Sequence, residues 1–275
     1  MLSYLGTVGG AWSALALLFI LSIPVYSSAS APLDYKTMFN ALQQQGIPKD
    51  FLSRCTKEQI ESLYQKCKGH NIAFGGSEIT YLTEDGQVVS PYGAIPEYDL
   101  ILEISPLYDV GDDGDGNNTY DACWMFVYFN WTSGHPTVRK VDALAVNWDP
   151  DMWTFDGEFE HTDYSDRNTI YSSVTRPTER NQGGLGYYAY LDTNGSNLIG
   201  ETQFTLYPAT TPLYPAGSGE PHFRSEVNVN YVHDKNPLPV KGVSISVSGV
   251  GVGIDFGSLA DEASATYNGY YKREP

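Results

Sequence analysis

Oxygen donors crowd two stretches of this chain, and each crowding points to a chemistry. In the run Asp112-Asp113-Gly114-Asp115-Gly116-Asn117-Asn118-Thr119-Tyr120-Asp121, the side chains of Asp113, Asp115, Asn117 and Asp121 fall at the first, third, fifth and ninth places of a calcium loop. An EF-hand is excluded, because Asn118 stands where that loop needs Gly and Trp124 where it needs a bidentate Glu. A looser Ca²⁺ site on these four residues is one expectation, and a solvated Asp/Gly/Asn turn is the plainer one. No other cofactor is called for. The second crowding runs from Asp149 to Asp166, where Asp149, Asp151, Asp156, Glu158, Glu160, Asp163 and Asp166 surround His161, with Trp148 and Trp153 at its start. Paired carboxylates beside aromatic rings are what glycoside hydrolysis needs, one as acid and one as nucleophile or base. Yet Asp156, Glu158 and Glu160 alternate with Gly157 and Phe159, which is also how the wet face of a half-buried strand reads.

The three cysteines, Cys55, Cys67 and Cys123, are the remaining reactive side chains. Cys55 and Cys67 flank one predicted helix and would sit about 16 Å apart at its rise per residue, too far to bridge. A disulfide therefore involves Cys123, and Cys67 is the expected partner because it lies on the apolar stripe of that helix. Three buried free thiols are the alternative. No G-x-S-x-G, H-E-x-x-H or phosphate-binding glycine loop occurs. The five histidines are scattered, and His233-Asp234, the adjacent His–acid pair, specifies little. Nothing here makes an enzyme the favoured reading.

These residues must be carried by something, and the hydrophobic pattern says what. Asp34 caps a helix that runs to Gln45 and stops at Gly46 and Pro48. Thr56 and Gln59 form a capping box for a second helix, with Ile60, Leu63, Tyr64 and Cys67 on one stripe and Gly69 as terminator. After Gly69 the period changes to two. Ile79, Tyr81 and Thr83 lead into an Asp85-Gly86 turn with Val88 and Val89 on the return. Strands are predicted at 99–107, 120–131, 138–148, 155–161, 169–175, 186–192, 198–207 and 225–233. The run 120–131 is apolar on both parities, as in a strand covered on both faces. The proline-rich 208–222 reads as a loop. In Val243–Phe256 the apolar parity flips between Val247 and Val250, so the chain bulges or turns at Ser248-Gly249. That segment is either an ordinary sandwich strand or an amphipathic hairpin of the kind β-pore formers insert. With no helices between strands, an antiparallel β-sandwich or distorted barrel, preceded by a short helical segment, is the expected fold.

The stretches Ile47-Pro48-Lys49-Asp50-Phe51-Leu52, Asn181-Gln182-Gly183-Gly184-Leu185-Gly186-Tyr187-Tyr188 and Tyr231-Val232-His233-Asp234-Lys235-Asn236-Pro237 resemble segments of uncharacterised exported bacterial proteins. The resemblance implies export and carries no activity and no site residues.

Composition narrows the classes further. Of 275 residues, 41% are hydrophobic, enough for a core, while 16 Lys+Arg against 33 Asp+Glu give a net charge of −17. Nucleic acid is excluded as a partner, since phosphate contacts need Lys and Arg. The charge is uneven: residues 34–68 carry six basic and four acidic side chains, whereas residues 69–138 carry eleven acids and no Lys or Arg. Acidity can serve solubility alone, or an acidic face can bind cations or receive the basic segment. Ahead of all this, residues 1–33 carry no charged side chain. Ala11–Ile23 has the length of a signal-peptide core, and Ser27 and Ala29 fit a cleavage site. Leu5–Val25 is also long enough for an uncleaved anchor. The expected organisation is thus a signal peptide or anchor (1–31), a helical lead (32–70) and a β-sandwich (71–275). The reading as a whole is a secreted or extracellular, non-catalytic β-sandwich that binds an unknown glycan or protein surface, touching a membrane only through its first residues if they stay. A secreted hydrolase using the 149–166 carboxylates and a membrane-active protein using 243–256 are the alternatives. Signal cleavage after Ala29 predicts that N-terminal sequencing of the exported protein begins at Ser30; an intact Met1 in a membrane fraction would instead mark an anchor.

Overall fold

The computed structural model describes residues 34–273 except 86, 89–98, 113–117, 133–135, 197, 210–212, 216–222, 236–241, 250 and 258–259. The leader at 1–31, the turn residue Gly86 and three of the four expected calcium ligands, Asp113, Asp115 and Asn117, lie outside the described residues. No described helix is long and apolar enough to cross a membrane.

Three helices come first: α1 (Tyr35–Gln44), α2 (Lys49–Arg54) and α3 (Lys57–Cys67). Asp34 caps α1, accepting from the Thr37 amide at 3.0 Å. Thr56 caps α3, accepting from the Gln59 amide at 3.2 Å, and Gly69 leaves it with φ +87°. The short α2 was not anticipated: six residues between Pro48 and Cys55 are too few to show a period.

Among the described residues after Gly69 there are strands, turns and loops and no helix. The strands are β1 (Ile72–Phe74), β2 (Glu78–Leu82), β3 (Leu100–Asp112), β4 (Asn118–Trp131), β5 (Val141–Trp148), β6 (Trp153–Asp166), β7 (Thr169–Val174), β8 (Glu179–Asn181), β9 (Gly184–Tyr190), β10 (Ile199–Pro208), β11 (Leu213–Pro215), β12 (Phe223–Asp234), β13 (Val243–Ser248), β14 (Gly251–Phe256) and β15 (Ala260–Arg273). Every described pairing is antiparallel, in the order β7-β6-β10-β4-β11-β15-β12-β5-β9-β8, with β3 also on β4 and with β1 and β2 on β3. The short β11, inside the expected loop, touches β4 at Leu213↔Tyr120 and runs along β15, so it joins two halves of one folded sheet.

The halves face each other across aromatic side chains. Phe129 and Trp131 of β4 lie 5.2 and 6.2 Å from Tyr231 of β12, and Phe159 of β6 lies 5.2 Å from Tyr187 of β9. Trp148 of β5 meets Phe204 of β10 at 6.0 Å. These rings belong to one buried cluster, whose large apolar area supplies the main driving force of folding. The abundance of tyrosine is thus mostly core: Tyr187 and Tyr231 are buried, and Tyr108, Tyr267 and Tyr271 meet through their hydroxyls.

Strand β4 is covered on both faces, as its sequence predicts. Its odd residues Cys123, Met125, Val127 and Phe129 face the inter-sheet core, while Trp124 and Phe126 pack under the helices with Leu42, Phe51, Leu63 and Cys67. This alternation corrects the expected Cys67–Cys123 disulfide. All three cysteines are free and buried; Cys67 lies on the helical side of the sheet and Cys123 on the other, so the sheet itself separates them.

The outer face of the second half has its own cover. β13 and β14 form a separate hairpin whose last pair is Ser248 with Gly251, and the chain turns at Gly249 with φ +58°. The parity flip is therefore a turn, neither a bulge nor a continuous strand. Val243 and Ile245 of β13 and Ile254 of β14 pack on Ala143, Val232 and Tyr188. Close approach is supplied by the sheet rather than by the Ser and Gly face of the hairpin: a Cβ at Gly186 would fall 2.5 Å from Ile245 Cγ2 and 2.8 Å from Val252 Cγ1. Asn147 of β5 then pairs with the hairpin backbone, donating to Val252 O at 3.0 Å and accepting from its amide at 2.7 Å. Much of the apolar face that a membrane-inserting hairpin would use is occupied by the protein's own sheet, while Val247 and Phe256 stay exposed.

Charge complementarity seats the helices. Arg54 of α2 donates twice to Glu103 of β3, both at 2.7 Å, and the Glu103 side chain is 3% exposed. Lys66 of α3 faces Glu158 of β6 at 3.4 Å, and His70 meets Asp109 of β3 at 2.7 Å. The basic lead thus docks on the acidic body. Replacing Arg54 by Met leaves Glu103 buried without its cation and should cost about 3 kcal/mol of stability by urea unfolding; adding Glu103→Leu should restore most of that loss.

Candidate functional site

The cover of the first sheet half is incomplete, and a groove opens where it stops. Its walls are the first turns of α3, contributing Glu58, Gln59 and Ser62, and the outer faces of β6 and β10, contributing Glu160, Thr162 and Tyr164 and then Glu201 and Gln203. Ile170 and Ser173 of β7 form the rim. The cavity measures about 160 Å³. A cavity of about 150 Å³ admits a benzene-sized group, so this one suits a single long side chain or sugar ring.

Alternation places these groups. Thr162 of β6 stands opposite Glu201 of β10, and Glu160 opposite Gln203, so all four share one face. Glu160 and Glu201 are diagonal neighbours on adjacent strands, a relation that sets Cβ atoms about 7–8 Å apart. The burial of the two differs sharply. Glu160 is exposed, whereas Glu201 is 6% exposed beneath the start of α3. There Glu201 accepts from the Thr56 amide at 3.2 Å and from the Thr56 hydroxyl at 3.0 Å, with Tyr164 Oη 3.3 Å from the same hydroxyl. The capping box is thus only half as expected. Thr56 takes the Gln59 amide, but the Thr56 amide itself is held by a carboxyl from the sheet. Glu201 does the job assigned to the Gln59 side chain.

Burial raises the Glu201 carboxyl to about pKa 7, against the hydrogen bonds from Thr56 and Tyr164, which lower it. One acid of the groove therefore holds its proton near neutrality.

The residues singled out in the sequence fall as follows. Of the 149–166 carboxylates, Glu160 reaches the groove. Glu158 points the same way but accepts from Thr205 at 2.8 Å and pairs with Lys66, and Asp156 is exposed; the Thr205 bond, more than Lys66, holds Glu158 below the usual carboxylate range. His161 and Asp163 face inward, between the sheets. His161 Nε2 lies 2.8 Å from Asp163 Oδ1, His161 Nδ1 lies 2.9 Å from Thr202 Oγ1, and Thr202 donates to Tyr187 Oη at 2.7 Å. An Asp–His–Thr order resembles an acyl-transfer triad, but these three are at most 2% exposed and the hydroxyl proton is committed to Tyr187. No substrate reaches them, so the chain is a cross-link between β6, β9 and β10. Asp121, the described member of the calcium set, is exposed and accepts from Thr119 at 3.2 Å. Among the described residues no group of three metal-ligating side chains is arranged to hold an ion.

A second polar cluster joins β4, β5 and β12. His233 Nδ1 lies 3.0 Å from Asp142 Oδ1, Tyr231 donates to Asp142 Oδ2, and Trp131 donates to Tyr231 at 2.9 Å. Burial lowers the His233 pKa, but the charge and hydrogen bond of Asp142 outweigh it and the net shift is upward. The cavity beside His233, about 10 Å³, is the size of one water and too small for a ligand.

Glu201, Glu103 and Asp142 were invisible to motif reasoning. The available signal was a charged residue inside an otherwise apolar strand, as in Ile199-Gly200-Glu201-Thr202-Gln203-Phe204.

No family model matches the sequence, and no curated protein matches it. Solved structures with some likeness include the collagen-binding subdomain of the Enterococcus faecalis surface protein ACE, at 9% identity over 51% of this chain and 86% of that one, TM-score 0.25. The collagen-binding domain of the Erysipelothrix rhusiopathiae surface protein RspB aligns at 9% identity over 64% of this chain and 67% of its own, TM-score 0.25. Clostridium perfringens delta-toxin aligns at 7% identity over 64% of this chain and 88% of its own, TM-score 0.24. None of them bears on what this groove binds.

The Glu201 proton has a measurable consequence. The folded protein keeps it up to about pH 7, while the unfolded chain releases it near the ordinary value of 4.5. Folding binds a proton between those values, so stability falls as pH rises through the window, by about 3 kcal/mol in all. Glu201→Gln removes the titration. Urea unfolding should show the variant more stable relative to wild type at pH 8 than at pH 5, and a constant difference across that range would exclude the buried proton.

Proposed function

We propose that this is an exported binding protein, acting outside the cytoplasm without turnover, whose ligand enters the groove between α3 and the β6–β10 face. The single observation that carries this reading is the groove itself: a cavity of about 160 Å³ lined by residues most of which carry a hydrogen-bonding group on an apolar stem, with Glu58 and Glu160 exposed at its mouth and Glu201 beneath them. Ligand sites combine a concave surface with a few convergent polar groups and a perturbed titratable residue, and this place has all three. The carboxylates favour an amine or guanidinium, and the hydroxyls and amides of Thr162, Tyr164, Gln59 and Gln203 suit a hydroxyl-rich group as well. A protein or glycan surface supplies either. Export rests on the charge-free, apolar first residues and on the resemblance of three segments to exported proteins.

A secreted glycoside hydrolase is the second reading, and one observation favours it. Glu160 and Glu201 share a face as diagonal neighbours, and their surroundings set one as a protonated acid while leaving the other in water. Such a division of roles is what an acid and a base require. Against it, Glu201 is engaged by Thr56 on both oxygens, which turns it toward the helix cap rather than toward a substrate.

NMR titration separates the two. With N-acetyl-lysine methylamide and methyl glycosides as probes, binding should shift Thr162, Tyr164 and Ser173 resonances at millimolar concentration, and Glu160→Gln should weaken the lysine probe several-fold. Polysaccharide screens should release no reducing sugar. Sugar release abolished by both Glu160→Gln and Glu201→Gln would establish the hydrolase instead, and the absence of any groove shift with every probe would remove both readings.

A further inference from the structure

We infer that the free edge of β7 is a strand-addition site for an extended, basic segment of a partner protein, one of whose Lys or Arg side chains enters the acid-lined groove. The inference rests on the groove being a binding site and adds the class of its occupant.

The first observation is the edge. β7 ends the strand order of its half of the sheet, pairing with β6 along one side, and among the described residues no strand pairs with the other side. An edge strand presents a row of unpaired amides and carbonyls, and proteins usually blunt it with Lys or Pro. The sequence of β7, Thr-Ile-Tyr-Ser-Ser-Val, contains neither, and Ile170 and Tyr171 stand 53% and 50% exposed. A strand laid along such an edge gains main-chain hydrogen bonds, and its alternate side chains give specificity.

The second observation is where those alternate side chains would go. Asp163 pairs with Ser172 and Tyr164 with Ile170, so Tyr171 is an extra residue in the ladder. Bulges re-aim side chains. This one turns both Ile170 and Ser173 to the face that carries Thr162 and Tyr164, and both line the groove. An added strand lies about 4.8 Å further out, with every second side chain on that same face. From there a long side chain reaches over the rim formed by Ile170 and Ser173.

The third observation is charge. Glu58 and Glu160 make no ion pair among the described residues, and both are exposed at the groove. Other acids on this outer face are matched from the helical lead, Glu103 by Arg54 and Glu158 by Lys66. The two left over call for a cation from outside. A second copy of the chain is a poor occupant, because a body of net charge −17 would bring like charges to the same place.

An array of random nine-residue peptides, probed with the full mature protein, tests this. Bound peptides should carry Lys or Arg at one position or at alternate positions. The tightest should slow hydrogen exchange of the β7 amides at least tenfold. N-methylation of alternate residues should abolish binding in one register and spare it in the other, the signature of a strand with one edge paired. Glu160→Gln, an exposed change, should weaken binding at least fivefold with an unchanged melting temperature. Binding indifferent to both methylation registers, no bound peptide, or β7 protection that grows with protein concentration without peptide would each overturn the inference. If N-acetyl-lysine methylamide still shifts the groove while no peptide binds, strand addition alone has failed; if neither binds, the groove is not a binding site.

Discussion

The arrangement depends on a sheet face that carries acids and is nevertheless covered. Glu103 and Glu201 point from β3 and β10 into the layer under the helices, where an isolated carboxylate is costly to bury. The protein meets that cost in two ways. Glu103 takes both arms of the Arg54 guanidinium; Glu201, its carboxyl raised by burial, is satisfied by the backbone and hydroxyl of a helix cap. Either device works only with the helices in place. The lead is therefore part of the sheet's electrostatic balance, and a helix as short as α2, marginal on its own, is stabilised by the charge it neutralises.

The two outer covers solve different problems. On the helical side the sheet is aromatic and acidic, so the cover needs both apolar area (Phe51, Leu63) and cations. On the other side small residues make room for a close cover. Gly186 and Ala143 let the β13–β14 hairpin approach closely, and Asn147 supplies the hydrogen bonds that a neighbouring strand would otherwise make. That division gives the cations of the helical lead, Arg54 and Lys66, acidic partners on the sheet. It also explains why the chain's most regular alternation lies in a segment that pairs with nothing but itself: β13 and β14 need one apolar face for docking, and their Ser and Gly face looks outward.

The antiparallel class, most strand positions and the two-sided burial of β4 were legible because they depend on local alternation and on apolar runs. β15 was not. Its inward positions include Ala263, Ala265 and Gly269, small residues beside the rings of Tyr231 and Tyr271, and small residues weaken the periodic signal. The site was legible in part. Glu160 was named with its strand neighbours, but its partner Glu201 lies forty-one residues on, and no spacing rule connects two strands whose adjacency is decided by the whole topology. Cys67 and Cys123 show the same limit from the other side. Parity placed both in buried positions, yet which side of the sheet each occupies depends on which face the helices cover.

Where the helical cover ends, the balance of charge ends with it. Arg54 and Lys66 sit on α2 and at the C-terminal end of α3, while of the first-turn residues Lys57 and Glu58 it is Glu58 that lines the groove. A helix N-terminus favours an acid there, so the position that stabilises α3 also adds a negative charge beside Glu160, and among the described residues neither makes an ion pair. The groove is thus acidic for a structural reason before it is acidic for a functional one. Its polarity follows in part from the direction in which α3 crosses the sheet: reversed, the helix would bring Lys66 rather than Glu58 to the groove. The same direction places the open end next to β7, whose outer edge is unpaired among the described residues, so the unmatched charge and the unmatched backbone occur in one place. A partner that satisfies one is positioned to satisfy the other.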